Sequence, residues 1–304
     1  MVRPVDATGA ARRRKGAPRG RALEPLLWIA PALAAIAFVF GYALYRLVIE
    51  ATHRDGVGVG LDNLQIVWSD PPFRTAIGHN LRLLVTLPVI SGIALLLAVL
   101  LFEGLRGWKL HRVALFIPYL LPVPVVGVLF GQFLTLHGQL NSLLDALGLH
   151  ALALDWLGNP DLALRSLAGV IIWKELGFGV ILFLARLLSL STDPYDAARV
   201  DGAGWWRLHW HISLPQLRSI IGFYLVIEGI TLFAWVFNYV YVMTRGGPGD
   251  ATQVAETYIY DNATIGNLPW LAASGAVVLL GGFVALAAIA LLVRLALTRR
   301  GSAA

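Results

Sequence analysis

Three ionisable side chains stand in stretches that are otherwise apolar. Lys174 and Glu175 lie within residues 165–189, and Glu228 lies within residues 218–243. A charge at the centre of a bilayer costs about 2.5–3.5 kcal/mol on insertion scales, so each group needs a partner or a use. Lys174 and Glu228 fall roughly ten residues inside the ends of their runs, hence ~15 Å deep, at the centre of a ~30 Å core. Adjacent helical residues point about 100° apart, so Lys174 and Glu175 are expected to have separate partners. Three kinds of chemistry fit: an ion pair between Lys174 and Glu228 that joins two helices, an acid–base couple, or a polar midplane site where a transporter binds its solute. Trp173, Asn238, Tyr239 and Tyr241 add stacking faces and hydrogen-bonding groups suited to a sugar ring. Aromatic residues in such runs serve equally as packing or interface anchors. The expected solute pathway comprises Trp173, Lys174, Glu175, Glu228, Asn238 and Tyr241.

A second polar group forms an island between two apolar runs, from Asp193 to Pro215. Its residue types predict two short helices and a turn. Asp193 suits an N-cap, Pro194 the first helical position, and Asp196 the carboxylate-favouring first turn. Gly202 suits the left-handed residue that ends the first helix. A second helix from about Ala203 should stop before Pro215. Ala197, Ala198, Gly202 and Ala203 are small enough for another surface to approach the backbone. Without a partner, the same island would be an interfacial helix–turn–helix with Trp205, Trp206 and Trp210 on lipid headgroups.

The elements that must position these groups follow from composition. The chain is 58% hydrophobic and 14% charged, against about 25% charged in soluble domains, which predicts an all-α membrane protein. Six apolar runs are long enough to span: about 25–49, 82–103, 112–135, 165–189, 218–243 and 269–296. Basic residues crowd the loops on one side: Arg106, Lys109 and Arg112; Arg186, Arg199, Arg207 and Arg218; Arg294, Arg299 and Arg300. The positive-inside rule then places both termini and the 193–215 island in the cytoplasm. The same asymmetry explains the net charge of +6 without nucleic acid. Residues 1–22, with Arg12, Arg13, Arg14 and Lys15, read as a disordered basic cytoplasmic tail rather than a cleavable signal, and residues 23–304 as one transmembrane domain. The third run holds Pro118, Pro122 and Pro124, each of which removes a backbone donor, so it is either kinked for packing or broken to line a pathway.

The island resembles the cytoplasmic coupling loop of ABC importer permeases, whose pattern is Glu-Ala-Ala, three residues, Gly, nine residues, then Ile-x-Leu-Pro. Ala197, Ala198, Asp201, Gly202, Ala203, Ile212, Leu214 and Pro215 match it; Asp196 stands in place of Glu, and His209 where Phe is usual. Gly138 to Asn141 and Trp156 to Pro160 resemble the outer segment of carbohydrate-type permeases, which holds a short amphipathic helix. Thr244-Arg245-Gly246-Gly247-Pro248-Gly249-Asp250-Ala251-Thr252 resembles an outer turn of the permease type found in the maltose and glycerol-phosphate systems, with Arg245 for Gly and Asp250 for Asn. The resemblance implies a non-enzymatic permease of a bacterial inner-membrane importer for a sugar-like solute, with glycerol phosphates or glycerophosphodiesters as the alternative. It also implies a homologous second permease, two ATPase subunits that bind ATP and Mg, and an extracytoplasmic solute-binding protein. The 193–215 loop would dock on the ATPase.

Other chemistries lack their residues. There is no Cys, and none of Lys15, Lys109 and Lys174 stands in a Gly-Lys-Ser/Thr phosphate loop. His209 and His211 are two apart on a helix and face different ways, a poor start for a metal site. An intramembrane enzyme would need a pair such as Lys174 with Glu228, and a scaffold would need neither.

Overall fold

The computed structural model describes residues 24–301 apart from 55, 105 and 106, so the expected tail at 1–22 lies outside the described residues. By its contacts the chain divides into two units, residues 1–49 and 50–304. The first carries most of α1 (Glu24–Thr52), a long apolar helix with Pro31 inside it.

The second unit opens with a feature outside the all-α expectation. Strands β1 (His53–Arg54) and β2 (Val57–Gly58) pair antiparallel around Gly56, whose φ of +82° the turn requires. Helices α2 (Asp62–Ser69), α3 (Pro71–Leu84) and α4 (Thr86–Phe102) follow. The proline-rich third run is broken: α5 (Trp108–Leu120) and α6 (Val123–Phe133) meet at 97° across the extended Leu121 and Pro122. Helix α7 (Gln139–Ala146) is a short helix in the segment where one was expected. Its Asn141 is buried, donating to the carbonyls of Leu136 and Leu154 and accepting from Trp156 Nε1 at 2.8 Å. Then come α8 (Pro160–Leu188), α9 (Asp193–Val200), α10 (Trp205–Leu208), a π turn (His209–Ser213), α11 (Leu214–Met243), α12 (Ala255–Thr264) and α13 (Pro269–Gly301).

Among the described residues, four helical stretches are long and apolar enough to cross a membrane, at 28–52, 71–102, 160–188 and 205–233, and the bent α5–α6 pair makes a fifth if taken as one. Of the sixth expected run, the described apolar part is Pro269–Ala285.

Helix α8 is the hub, packed against α4, α5 and α11. Lipid tails are as apolar as leucine, so burial drives little association in a membrane, and close backbone approach matters more. Glycines provide it. A Cβ on Gly179 would lie 2.8 Å from Ala94 Cβ and 3.0 Å from Tyr224 Cζ, and one on Gly177 would collide with the Leu115 carbonyl. A Cβ on Gly127 of α6 would come 3.0 Å from Val242 Cβ on α11. Around these contacts the core assembles Ile90, Ala94 and Ala98 with Ile171, Phe183, Leu187, Leu232 and Val236.

A smaller cluster of Val67, Phe73, Ala76, Ala255 and Tyr258 joins α2, α3 and α12. Polar bonds lock it. Asn80 Oδ1 accepts from the Ala255 amide at 2.8 Å, and its Nδ2 donates to Glu256 Oε2 at 2.9 Å. Tyr258 donates its hydroxyl to Asp70. Burial raises the Glu256 carboxyl above its usual range, opposed by the Asn80 amide, which favours the carboxylate.

Replacing Gly179 with Leu should overpack the α4–α8–α11 contact by about 1–3 kcal/mol. A thermal melt of the detergent-purified protein checks this: the Tm should fall by several degrees for Gly179→Leu and barely move for Gly222→Leu, since a Cβ on Gly222 meets nothing within 4 Å.

Candidate functional site

Helix α8 is started by Asn159, whose Oδ1 accepts from the Asp161 amide at 2.9 Å, with Pro160 in the first turn. Twenty-nine uninterrupted residues then carry Lys174 and Glu175 into the interior, where they are buried. Contrary to the expectation of separate partners, these neighbours bond to each other: Lys174 Nζ donates to Glu175 Oε1 at 3.1 Å. The four-carbon lysine stem is flexible enough to fold back over the 100° between the two positions. Lys174 Nζ also reaches the Tyr119 carbonyl at 3.4 Å and stands 5.1 Å from the Tyr119 ring centre. That carbonyl belongs to the last turn before the α5–α6 break, where the helix leaves acceptors without donors. Tyr239 of α11 donates its hydroxyl to the same Glu175 Oε1 at 2.9 Å.

Glu228 is 1% exposed, yet it forms no ion pair with Lys174 among the described residues. It lies within electrostatic range of both Glu175 and Lys174. Among the described residues neither of its carboxylate oxygens has a hydrogen-bond partner, and the Tyr224 hydroxyl and Glu175 Oε2 share that condition. An unsatisfied buried polar group costs about 1–3 kcal/mol, so this cluster holds spare bonding capacity at the centre of the bundle.

The remaining expected pathway residues lie elsewhere. Trp173 is 41% exposed and packs its ring 5.0 Å from Phe130 of α6. Asn238 and Tyr241 are half-buried and three residues apart, on a different face of α11 from Tyr239. Tyr241 stacks on Phe237 at 5.2 Å, meets Tyr260 edge-on, and has the Arg245 guanidinium 5.4 Å from its ring centre. Tyr119 and Tyr224 are the members that sequence reasoning missed. Tyr224 sits four residues before Glu228, on the same helical face, and that spacing was the available signal.

The 193–215 segment is a helix–turn–helix with two departures from expectation. Thr192, not Asp193, is the N-cap, with no side-chain cap bond, so Pro194 takes the second helical position. The second helix does not stop before Pro215. It passes from α10 through the π turn into α11, where Pro215 stands in the first turn and needs no intrahelical donor. Gly202 has φ +74°, the left-handed turn expected of it, and nothing lies within 4 Å of a Cβ added there. Asp196, Ala197, Asp201, Gly202 and Pro215 are exposed; Ala198, Ala203, Ile212 and Leu214 are half-buried. Val200, Trp206 and Trp210 are 89%, 72% and 64% exposed. Beneath them Tyr195, Leu208, His209 and Ser213 are buried and anchor the segment. Asp196 meets Arg199 of its own helix at 3.4 Å. Among the described residues, no group of three or more His, Asp or Glu could hold a metal ion.

The chain has counterparts among known proteins. The family model described as binding-protein-dependent transport system inner membrane component matches residues 82–298. The sulfoquinovosyl glycerol transport system permease protein SmoG of Agrobacterium fabrum is 32% identical over 274 residues, 86% of this chain and 87% of the relative. The lactose transport system permease protein LacF of Rhizobium radiobacter is 29% identical over 245 residues, 77% and 81% of the two chains. A crystal structure of a bacterial ABC transporter involved in the import of the acidic polysaccharide alginate contains a chain with the same fold. Its TM-score is 0.74 at 24% identity, over 90% of this chain and 96% of that one. With a family match over most of its length, this chain belongs to the binding-protein-dependent transport system inner membrane components, the permeases of ABC transporters.

Proposed function

We propose that this chain is one permease of an ATP-driven importer that moves a sugar or sugar-like solute across a bacterial inner membrane by alternating access. In this reading six spans cross the bilayer, with both termini and the 193–215 segment on the cytoplasmic side. A homologous second permease completes the pathway, two ATPase subunits bind ATP and Mg, and an extracytoplasmic binding protein delivers the solute. The observation that carries the proposal is the continuity of the exposed segment with α11. A force applied by an ATPase at Asp196 to Gly202 passes through the π turn into the helix that holds Glu228 and Tyr239. Relatives named for lactose and sulfoquinovosyl glycerol support a hydroxyl-rich solute. Glycerol phosphates or glycerophosphodiesters are the second reading, supported by a relative named for sn-glycerol-3-phosphate. An intramembrane enzyme is supported less, because Lys174 is engaged by Glu175 and the Tyr119 carbonyl rather than by Glu228, and a scaffold is supported less because the relatives are named as transport permeases.

Two experiments test this. The chain, pulled down from native membranes, should bring an ABC ATPase and a second permease. Gly202→Arg should lose the ATPase at least several-fold while still accumulating in membranes. Within this chain the added side chain meets no neighbour, and a non-glycine residue in the left-handed conformation costs only about 1–2 kcal/mol. Equal recovery of the ATPase with both forms would refute docking at the turn. Separately, Glu228→Gln should preserve membrane levels but reduce cellular uptake of the labelled solute, with lactose and sn-glycerol-3-phosphate as first probes. Lys174→Met should lower the protein level itself, because it strands the Glu175 carboxylate at a cost of about 3–5 kcal/mol. Unchanged uptake in Glu228→Gln would leave the cluster a purely structural role.

A further inference from the structure

The buried anchors Tyr195, His209 and Ser213 belong to a polar chain that opens toward solvent at Glu103 and Arg199. Glu103, the first residue after α4, places Oε1 3.0 Å from His209 Nε2 and 3.5 Å from the Arg199 guanidinium. His209 Nδ1 is 2.8 Å from Ser213 Oγ, which is 3.0 Å from the Tyr195 hydroxyl. His209, Ser213 and Tyr195 are 6%, 1% and 2% exposed, and the Tyr195 ring also packs against Phe102 at 5.6 Å. The chain thus links three elements: the end of α4, helix α9 through Tyr195 and Arg199, and the π turn at the base of α11.

We propose that Glu103 and His209 are positioning residues for energy coupling: with Ser213 and Tyr195 they form a hydrogen-bonded strut that ties α9 to both α4 and α11, so that a displacement of the docking segment reaches two membrane helices together. The proposal rests on the reading of 193–215 as the ATPase-docking segment. A ring nitrogen on each side lets one residue bridge two elements where an apolar ring only packs.

The strut has a direction. With neutral imidazole every link is satisfied: Tyr195 O–H donates to Ser213, Ser213 O–H donates to His209 Nδ1, and His209 Nε2–H donates to Glu103. A proton added to Nδ1 turns it into a donor. Ser213 Oγ can still accept from Tyr195 and now accepts from the ring as well, but the buried Ser213 O–H loses the acceptor it had in Nδ1. The charged groups that face His209 are Glu103 from α4 and Arg199 from α9. Trp205 contributes only its ring, at 4.7 Å, and His211 is turned away onto the Arg207 carbonyl. Acidification therefore works against the strut: burial disfavours the imidazolium and holds His209 below the ordinary imidazole range, and the Glu103 carboxylate partly opposes that shift.

The test uses the whole complex purified with this chain, in lipid nanodiscs. Mg-ATP hydrolysis is followed between about pH 5.5 and 8.5, either side of the ordinary imidazole pKa of ~6.5. Wild type should lose hydrolysis on the acid side. In Glu103→Gln, which keeps the bond but not the charge, the acid limb should move to lower pH. In His209→Phe the limb should vanish and the rate should fall about fivefold, the low end of common coupling energies, with the ATPase subunits still bound. Should His209→Phe not accumulate, Ser213→Ala removes only the middle hydroxyl and should likewise lower the rate and displace the limb. Profiles that superimpose on wild type would overturn the strut, as would a uniform fall in rate with an unshifted limb. Absence of ATPase subunits from the wild-type complex would instead overturn the docking reading on which the strut depends.

Discussion

The hydrocarbon interior permits no backbone group to go without a partner, and the break between α5 and α6 tests that constraint most severely. Prolines at 118, 122 and 124 end one helix and start another at 97°. The carbonyl of Tyr119 is left at the end of the first helix, and Lys174 reaches it from α8. Bringing an ammonium there obliges a counter-charge, which Glu175 supplies from the next position, and the Tyr239 hydroxyl from α11 supports that carboxylate. The break, the ion pair and the packing of α8 between α5 and α11 are thus successive consequences of one interruption. Gly177 and Gly179 allow the approach that makes the reach possible.

The helix–turn–helix is rigid for a different reason. It is bound into the bundle from below by buried side chains, while its upper surface offers small residues, two carboxylates and two indoles. The π turn is the joint. It admits one extra residue into the helical path, so that Trp205 to Met243 runs on without a stop at Pro215. A segment that ended before Pro215, as proline alone suggests, would hang from the bundle on a flexible link and could deliver little force.

Much of this was legible because it rests on local rules. Apolar run length located the helices, three prolines in one run announced a kink or a break, and Gly202 announced a left-handed turn. The features that were not legible depend on geometry between distant residues or on side-chain flexibility. Lys174 and Glu175 point apart as backbone positions, yet the long lysine stem overrides that. Thr192 displaced Asp193 as the cap because neither side chain forms the bond that would have chosen between them. Glu103 and His209 are 106 positions apart, and only the packing of α4 beside the π turn makes them partners. Tyr224 is the exception, since its place four residues before Glu228 puts both on one helical face by a local rule.

The helices α3 and α4 form a near-continuous apolar stretch from Pro71 to Phe102. Near one end Asn80 grips the start of α12, and just past the other Glu103 grips the π turn. The residues between them span about 34 Å at 1.5 Å per residue, close to the thickness of a hydrocarbon core. That stretch is therefore held by polar contacts at two levels, to α12 through Asn80 and to the π turn through Glu103, so a shift along its length strains both.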